Sequence, residues 1–321
     1  MTRQVLVRTP CRLHFGLTSL GHCCERPQFG GVGLMVDVSG VELEIVPSNH
    51  FQIEGPLRER VAEFTQSILH QLQLSYPPAL RLHVKSTPRQ HTGLGVGSQL
   101  ALAVAAGLAQ SLGLPWRDPT RLCQLTGRGR RSAVGTYGFL LGGFIVDGGH
   151  LPQEPLGRLA YQKSLPDDWQ IVLLTPPRLK GRSGIDEDRT IANLPPVSEQ
   201  VTEELEHVVS EKMIPALERK EFSDFSESVY QFGRLAGNCF SAAQGGVYCS
   251  SVAANLVSWL RKSGFLGVGQ SSWGPTIFAI APNLQEAERL KDAVAAHKNY
   301  QEYEIQIGPA ANRGVQVEVI D

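Results

Sequence analysis

The sequence predicts a two-domain α+β fold, and three observations support this. Helical periodicity alternates along the chain with strand patterns of antiparallel character. The 321 residues, 42% of them hydrophobic, are enough to build two modest cores. Composition shifts after Gly149 to a polar, proline-rich stretch over 150–168. We therefore expect an N-terminal domain over residues 1–160 and a C-terminal α+β domain over 161–321.

The N-terminal half contains five predicted strands and three predicted helices. Strand patterns occupy 4–8, 41–46, 80–85 and 144–147, and a glycine-rich bend within 30–37 runs into a further strand. Apolar residues at helical spacing predict a helix over 57–74, and an alanine-rich segment that starts near Ser98 predicts a buried one. Asp118 followed by Pro119 is typical of a helix N-cap and first position, so a third helix should run toward Leu125.

The C-terminal half mixes the same two patterns without an internal repeat. Strands are predicted over 169–175, 276–281, 302–307 and 315–320. Helices are predicted over 198–219, 222–236 and 250–263. A further helix should begin after Asn283, because Asn283-x-x-Glu286 is a capping pattern.

The run from His91 to Ala105 is the most informative stretch of the chain. Gly93, Gly95 and Gly97 permit backbone angles that a Cβ atom forbids, and Leu94 and Ser98 complete the loop at the head of the apolar helix. Such a loop aims unpaired N–H groups at one point, where the helix dipole favours negative charge. The pattern matches neither a Walker loop nor a dinucleotide fingerprint. It predicts a phosphate-binding loop, with plain turn geometry as the structural alternative.

Composition argues against several classes of protein. A net charge of −1 provides no basic field for nucleic acid. The longest apolar run, 100–109, is too short to span a membrane, and the N-terminus lacks the apolar core of a signal peptide. The cysteines show neither zinc-ligand spacing nor a disulfide framework, so we expect reduced thiols in a cytoplasmic protein. The adjacent Cys23 and Cys24 are either a reactive pair or loop residues.

Several motifs together give the chain a family resemblance. They are Cys11-Arg-Leu-His-Phe-Gly-Leu17, Gly30-Gly-Val-Gly-Leu-Met-Val-Asp37, His91-Thr-Gly-Leu-Gly95, Gly127-Arg-Gly-Arg-Arg-Ser-Ala-Val-Gly-Thr-Tyr137, Gly142-Gly-Phe-Ile-Val-Asp-Gly-Gly149 and Gly269-Gln-Ser-Ser-Trp-Gly-Pro275. With these motifs in this order, the chain resembles the GHMP superfamily of small-molecule kinases. Within that superfamily it is most similar to the β-ribofuranosylaminobenzene 5′-phosphate synthase family, which starts tetrahydromethanopterin biosynthesis.

The resemblance implies a reaction and a setting for it. A phosphoribosyl group would pass from 5-phosphoribosyl diphosphate to 4-aminobenzoate or 4-hydroxybenzoate, with release of CO2 and pyrophosphate. It also implies the two-domain GHMP fold, a homodimer and Mg²⁺. Many GHMP kinases carry a catalytic aspartate at the position of Gly135. Its loss removes a general base, commonly worth about 10²–10⁴-fold in rate. Decarboxylating transfer needs no such base, because CO2 leaves in place of a proton.

The family placement favours an arginine clamp for the donor. Arg128, Arg130 and Arg131 stand among flexible glycines, and guanidinium groups suit bidentate phosphate binding. A solvated basic turn is the structural alternative. Arg12 and His14 alternate with apolar residues, so both should point to one face of a strand beside the site. We expect Arg12 to bind a phosphate or the benzoate carboxylate and His14 to donate a hydrogen bond, although a structural histidine is the alternative.

The second loop and the acidic residues complete the candidate site. Ser271 and Ser272 are expected to bind phosphate, and Trp273 either stacks on the aromatic acceptor or packs between domains. Mg²⁺ prefers carboxylate and phosphate oxygens. The metal candidates are Asp37, Asp186, Glu187, Asp188 and Asp147, and Asp147 has a turn role as its alternative.

Two other functions are compatible with the same motifs. One is an ATP-dependent GHMP kinase that phosphorylates a small alcohol with a relocated base. The other is a GHMP-like ligand sensor without catalysis, although such a protein would have little need to keep glycine loops and arginines together. Neither nucleic acid nor a membrane is expected as a partner.

Overall fold

A computed structural model describes residues 4–20, 25–74, 76–179, 181 and 184–320. The strands are β1 Gln4–Arg8, β2 Cys11–Leu17, β3 Gly31–Val36, β4 Glu42–Pro47, β5 Gln52–Glu54, β6 Leu80–Ser86, β7 Phe144–Asp147, β8 Leu159–Lys163, β9 Gln170–Thr175, β10 Val268–Gln270, β11 Ile277–Ala281, β12 Glu304–Pro309 and β13 Gln316–Ile320. The helices are α1 Arg58–Gln71, α2 Val96–Ser111, α3 Pro119–Thr126, α4 Val134–Leu141, α5 Gly184–Ala192, α6 Glu199–His207, α7 Ile214–Glu218, α8 Phe222–Cys239, α9 Ser241–Gln244, α10 Ser251–Lys262 and α11 Leu284–Ala296.

The strands form three sheets, and the predicted α+β class is confirmed. One sheet has the order β13-β1-β4-β6-β5, the second β2-β3-β7-β8 and the third β10-β11-β9-β12. The described pairings are antiparallel except for β5 with β6, which is parallel. Helices pack on each sheet because every sheet has an apolar face to bury.

Helix α2 is the central element of the first core. Its sequence is apolar on every side, and twelve of its sixteen residues are buried. Gly107 lets the helix lie directly on the sheet, since a Cβ at this position would sit 2.7 Å from Ile45 Cδ1 and 3.2 Å from Val7 Cγ2. This packing fixes the N-terminus of α2, and therefore the glycine loop, relative to the neighbouring strands.

The last strand of the chain returns to the first sheet. β13 pairs antiparallel with β1, with Gln4 opposite Ile320 and Arg8 opposite Gln316. β8 lies across the predicted boundary at residue 160 and pairs with β7. The division into 1–160 and 161–321 stays a prediction, but the end of the C-terminal half is structurally part of the N-terminal sheet.

The local capping signals are confirmed. The Asp118 carboxylate accepts a hydrogen bond from the Arg121 N–H at 2.7 Å, with Pro119 in the first turn of α3. Asn283 Oδ1 accepts from the Glu286 N–H at 2.9 Å at the start of α11.

The helix predicted over 198–219 is present, but its π-helical centre was not predicted. A π-helical segment, Val208–Met213, separates α6 from α7. Pro215 has no N–H to donate, and its ring crowds the carbonyl four residues earlier, so the preceding turn widens. Helix α4 was not predicted either, because its glycines lower intrinsic helix propensity and burial in the core decides its conformation.

Two further observations bear on the expected class of protein. Cys11, Cys123, Cys239 and Cys249 are free thiols, whereas Cys23 and Cys24 lie outside the described residues. Across the part of the chain that the structure describes, no helix combines the length and the apolar character needed to cross a bilayer.

Candidate active site

A cavity of about 420 Å³ lies between elements of both halves of the chain. Its wall comprises the glycine loop with the start of α2, strand β2, the first turn of α1, the arginine loop 127–132, helices α5 and α8, and the second loop at 270–273. These segments are distant in sequence, and they include most of the motifs singled out above.

The glycine loop forms the N-terminus of α2 as predicted. Gly95 is the N-cap residue with φ of +71°, and no side chain within the described ranges caps this helix. A Cβ at Gly95 would lie 3.0 Å from both Cβ and Nε of Arg12, so glycine allows this arginine to lie against the helix start. The first N–H groups of a helix have no intrahelical partner, and the dipole adds positive potential there. This end of α2 is suited to bind an anion.

Gly93, Leu94, Gly97 and Ser98 also line the cavity. Gly93 has a φ of +87°, and a Cβ there would lie 2.4 Å from the Ser271 carbonyl oxygen. Glycine is therefore required for the two loops to approach each other.

Arg12 lies on β2 and faces the cavity. Its backbone N–H donates to the Leu94 carbonyl at 3.1 Å, which joins the strand to the glycine loop. Its Nε is buried without a hydrogen-bond partner among the described residues. Burial lowers the pKa of Arg12 to about 10, and Glu187 opposes this shift. The group stays protonated at neutral pH, with donor capacity available to a ligand.

His14 is buried on the same face of β2. Its Nε2 lies 3.1 Å from Ser132 Oγ. Burial, with a smaller effect of Arg12, lowers the pKa of His14 to about 3. The imidazole is therefore neutral and serves as a hydrogen-bonding group. Its backbone N–H donates to Ser271 Oγ at 3.1 Å, and its carbonyl accepts from the Ser272 N–H at 2.8 Å.

The arginine loop brings its three guanidinium-bearing residues to the cavity. Arg128 stacks over Phe64, with 5.2 Å from Cζ to the ring centroid. Burial is the largest cause that lowers the pKa of Arg128, and the positive charge of Arg60 is the second. Glu187 raises this pKa, and Arg130 lowers it by the smallest amount. Arg130 is exposed and lies at the wall.

The buried Asp147 holds this loop in place from outside the cavity. Its carboxylate accepts hydrogen bonds from the N–H groups of Ala133 at 2.5 Å and Gly149 at 2.9 Å. Burial nevertheless raises the pKa of Asp147. Asp147 therefore has the turn role that was the alternative to metal binding. It is not one of the described residues that line the cavity.

Among the metal candidates whose side chains the structure describes, Glu187 alone lines the cavity. Its Oε1 lies 3.3 Å from Arg131 Nη1 and accepts from Trp273 Nε1 at 3.1 Å. Asp37 is exposed just beyond β3 and does not line the cavity. The side chains of Asp186 and Asp188 lie outside the described residues. Within the described ranges, no three His, Cys, Asp or Glu side chains gather as a metal site.

The second loop contributes the aromatic Trp273 to the cavity wall and the hydroxyl of Ser271 to contacts between loops. Trp273 packs edge-on against Phe240 with 4.9 Å between ring centroids, and both line the cavity together with Ser272. Ser271 is not brought to the wall. Its buried hydroxyl donates to the Gly93 carbonyl at 2.7 Å and accepts from the His14 N–H, so it joins the two loops to β2.

Sequence reasoning missed Arg60, Phe240 and Tyr248, all of which line the cavity. Arg60 lies in the first turn of a correctly predicted helix. Hydrophobic spacing located that helix but carried no signal that its N-terminal turn faces the glycine loop.

Five arginines thus surround the cavity against one carboxylate among the described residues. They are Arg12, Arg60, Arg128, Arg130 and Arg131, and the carboxylate is Glu187. An aromatic wall lies beside this cationic one. A neutral ligand would not compensate such a charge excess, so the site is suited to a dense anion together with an apolar group.

Gly135 lies beside this site on α4. A Cβ there would be 3.6 Å from Arg12 Cδ and 3.9 Å from Ser98 Cβ, in ordinary contact with both. A side chain at position 135 would therefore face Arg12, and glycine leaves this guanidinium without a carboxylate from that position.

This fold and site define a member of the GHMP kinase superfamily. The GHMP kinases N terminal domain matches residues 59–143 and the GHMP kinases C terminal domain matches 213–299, and together the two models span more than half of the chain. Solved structures agree on the fold. A putative homoserine kinase from Listeria monocytogenes has a TM-score of 0.68 at 15% identity, covering 98% of this chain and 99% of its own. The phosphomevalonate kinase of Streptococcus pneumoniae has a TM-score of 0.68 at 13% identity, covering 99% and 100%.

Within the superfamily, the similar sequences are synthases. The β-ribofuranosylphenol 5′-phosphate synthase of Archaeoglobus fulgidus is 29% identical over 98% of this chain and 99% of its own length. The enzyme of the same name from Methanothermobacter thermautotrophicus is 27% identical over 87% and 89%. The resemblance predicted from the motifs is thereby confirmed.

Proposed function

We propose that this protein is a phosphoribosyl-transferring synthase of the β-ribofuranosylaminobenzene and β-ribofuranosylphenol 5′-phosphate type. One observation carries the proposal: an arginine-rich cavity at an uncapped helix N-terminus adjoins an aromatic wall. The donor, 5-phosphoribosyl diphosphate, is a dense anion at both ends. The acceptor is an aromatic acid. The cavity offers a matching surface for each.

The reaction balances without a general base. A bond forms between C1 of the ribose and the ring carbon that bears the carboxylate. The C1–O bond breaks and its electron pair leaves with pyrophosphate. The bond from the ring to the carboxylate carbon then breaks, its electrons restore the aromatic ring, and CO2 departs. No proton is removed, which is consistent with glycine at position 135.

The arginines would stabilise the negative charge that builds on the leaving diphosphate. Fixed donors aimed at developing charge are commonly the largest contribution to a rate enhancement. Arg12 lies on β2 beside the start of α2 and can bind a phosphate or the acceptor carboxylate. The neutral His14 and its partner Ser132 provide hydrogen-bonding groups without adding charge.

We place the acceptor against the Trp273–Phe240 pair. Edge-on and offset contacts between aromatic rings add stabilisation to that provided by burial. The relatives are named for a ribofuranosylphenol product, which decarboxylating transfer to 4-hydroxybenzoate would yield. We therefore propose 4-hydroxybenzoate as the acceptor, with 4-aminobenzoate as the second substrate to test.

The family resemblance also implies Mg²⁺. It usually takes one or two protein carboxylates plus substrate phosphates. Glu187 lines the cavity and supplies one carboxylate, which fits that need. When bound, the ion would neutralise phosphate charge. We also propose a cytoplasmic homodimer acting in tetrahydromethanopterin biosynthesis, and the free thiols are consistent with a reducing compartment.

Two parallel incubations, one with the donor and labelled acceptor and one with ATP and a small alcohol, separate this proposal from the kinase alternative. The purified protein, 5-phosphoribosyl diphosphate, magnesium and carboxyl-labelled 4-hydroxybenzoate should release labelled CO2 and pyrophosphate in equal amounts. A kinase would leave the label in place and form ADP from ATP with an alcohol. A sensor would bind the donor without turnover.

Two variants complete the test. Arg12→Ala should abolish release of the label. Arg117→Ala is the matched control, because Arg117 stacks 4.5 Å over Trp116 outside the cavity and should leave turnover intact.

A further inference from the structure

We propose that Arg60 and Arg128 form a diphosphate clamp at the N-terminus of α2, aligned by the ring of Phe64 between two distant segments. This assignment rests on the proposed function and adds a specificity-determining residue, Arg60, for the donor. It also divides the cavity, with the diphosphate on the α1 side and the 5′-phosphate on the Arg130–Arg131 side.

The shared aromatic ring is the first observation. The Cζ atoms of Arg60 and Arg128 each lie 5.2 Å from the centroid of Phe64. Arg60 and Phe64 are one helical turn apart on α1, whereas Arg128 comes from the loop after α3. Cation–π contact with one ring holds two like charges near each other. Such an arrangement is expected where both are to meet the same anion.

The second observation is unused hydrogen-bonding capacity. The Nε atoms of Arg60 and Arg128 are buried and have no partner among the described residues. Arg12 Nε, beside Gly95, is in the same condition. A buried donor without a partner is unfavourable, and a bound oxyanion would satisfy it. Arg60 Nη1 lies 3.7 Å from a carboxylate oxygen of Glu63, whose side chain is exposed.

The third observation is the position of Arg60 relative to α2. A Cβ at Gly97 would lie 4.0 Å from Arg60 Nη2, so this guanidinium reaches the first turn of the helix. Two forked guanidinium groups and the free N–H groups of that turn then converge from different directions. A group with many oxygens on two phosphorus atoms can meet all of them at once.

The net charge near each arginine pair indicates whether that pair suits the diphosphate or the 5′-phosphate of the donor. Arg131 lies 3.3 Å from the mostly buried Glu187, whereas Glu63, at 3.7 Å from Arg60, is 66% exposed and is therefore screened by solvent, so Arg131 is the more strongly compensated arginine. A diphosphate carries more charge than a phosphate monoester, and further charge develops on it as the C1–O bond breaks. The less compensated pair therefore suits the diphosphate, and the Arg130–Arg131 side suits the monoester.

Calorimetric titration with two probes tests the clamp without turnover. Inorganic pyrophosphate and ribose 5-phosphate are each titrated at one magnesium concentration into the full-length protein and its variants. Arg60→Ala should weaken pyrophosphate binding by about 10–100-fold, the usual range for a hydrogen bond between charged groups, and change ribose 5-phosphate binding by less than about threefold. Phe64→Leu should show the same selectivity with a smaller change.

Arg58→Ala is the matched control, because Arg58 lies on the same helix, is exposed and does not line the cavity. It should leave both affinities unchanged.

Arg60→Lys keeps the charge and the long aliphatic stem, so it covers the case in which the alanine variant fails to fold. This variant should also weaken pyrophosphate binding more than ribose 5-phosphate binding. Equal weakening of both probes, or unchanged pyrophosphate affinity, would overturn the clamp.

The outcome is distinguishable from failure of the proposed function. Labelled CO2 reports the reaction, whereas pyrophosphate affinity reports the clamp. Release of CO2 with unselective Arg60→Ala binding refutes the clamp alone. Selective binding without any CO2 release refutes the synthase and leaves a pyrophosphate-binding site.

Discussion

Replacing Gly135 with aspartate should specifically disrupt donor binding. The new Cβ would be 3.6 Å from Arg12 Cδ, 3.9 Å from Ser98 Cβ and 3.9 Å from Gln99 Nε2, which are ordinary contacts. Position 135 is in the first turn of α4, where a carboxylate interacts favourably with the helix dipole. The fold should therefore accept the substitution, and its effect should be electrostatic.

The magnitude follows from the proximity of the new carboxylate to the Arg12 guanidinium. At a separation of about 4 Å, their attraction is about 4 kcal/mol at an effective dielectric constant of about 20 and about 1 kcal/mol in bulk water. The cavity is open to solvent at its mouth, so we take about 2 kcal/mol. Arg12 must leave that partner to bind the donor, which corresponds to about 30-fold weaker binding of 5-phosphoribosyl diphosphate.

Titration calorimetry with the donor, and kcat/KM for the donor if CO2 release is established, measures this effect. Gly135→Asn is the isosteric neutral control and should change donor affinity by less than about threefold. Thermal unfolding of both variants should remain close to that of the unmodified chain. Equal effects of the aspartate and asparagine variants would refute the electrostatic reasoning, and so would unaltered donor binding by Gly135→Asp.

Three further predictions concern stability and the arginine loop. His14 has a folded-state pKa near 3, below its usual 6.5, so the stability it contributes is present above about pH 6.5 and is lost as pH falls toward 3. Urea unfolding should show the chain losing about 1 kcal/mol more than His14→Gln between about pH 7 and about pH 5.5; parallel losses would contradict this. Asp147→Ala leaves the N–H groups of Ala133 and Gly149 unpaired and should cost about 2–4 kcal/mol in unfolding free energy, so an unchanged melting temperature would be inconsistent with its bracing role. Arg130→Ala should weaken donor binding by about tenfold without lowering the melting temperature, because Arg130 is exposed, and undiminished affinity would remove it from the site.

Local patterns in the sequence were sufficient for most helices and strands. The caps at Asp118 and Asn283 and the buried helix after Gly95 depend on neighbouring residues, so a linear pattern contains them. The π-helical segment before Pro215 was not predicted, because a proline indicates that the helical hydrogen bonds change but not whether the helix widens or ends there. Alternation on β2 correctly placed Arg12 and His14 on one face beside the site.

The composition of the site was only partly accessible from sequence. The glycine loop, the arginine loop and Trp273 were identified by their residue types, and all reach the cavity. Ser271 was expected to bind phosphate, but its hydroxyl is used to join two loops. A serine that binds phosphate and a serine that joins two loops occur in the same sequence pattern. Only the residues that surround the serine in space distinguish the two roles.

The sequence by itself determined the fold class, the family and most of the cationic residues of the candidate site, because these follow from periodicity and from residue types in short motifs. The tertiary structure decided that β13 joins β1 and that Arg60 meets Arg128 over Phe64. These are contacts between residues far apart in the chain. Their formation depends on how sheets and helices bury their apolar faces together, and no single segment carries that information.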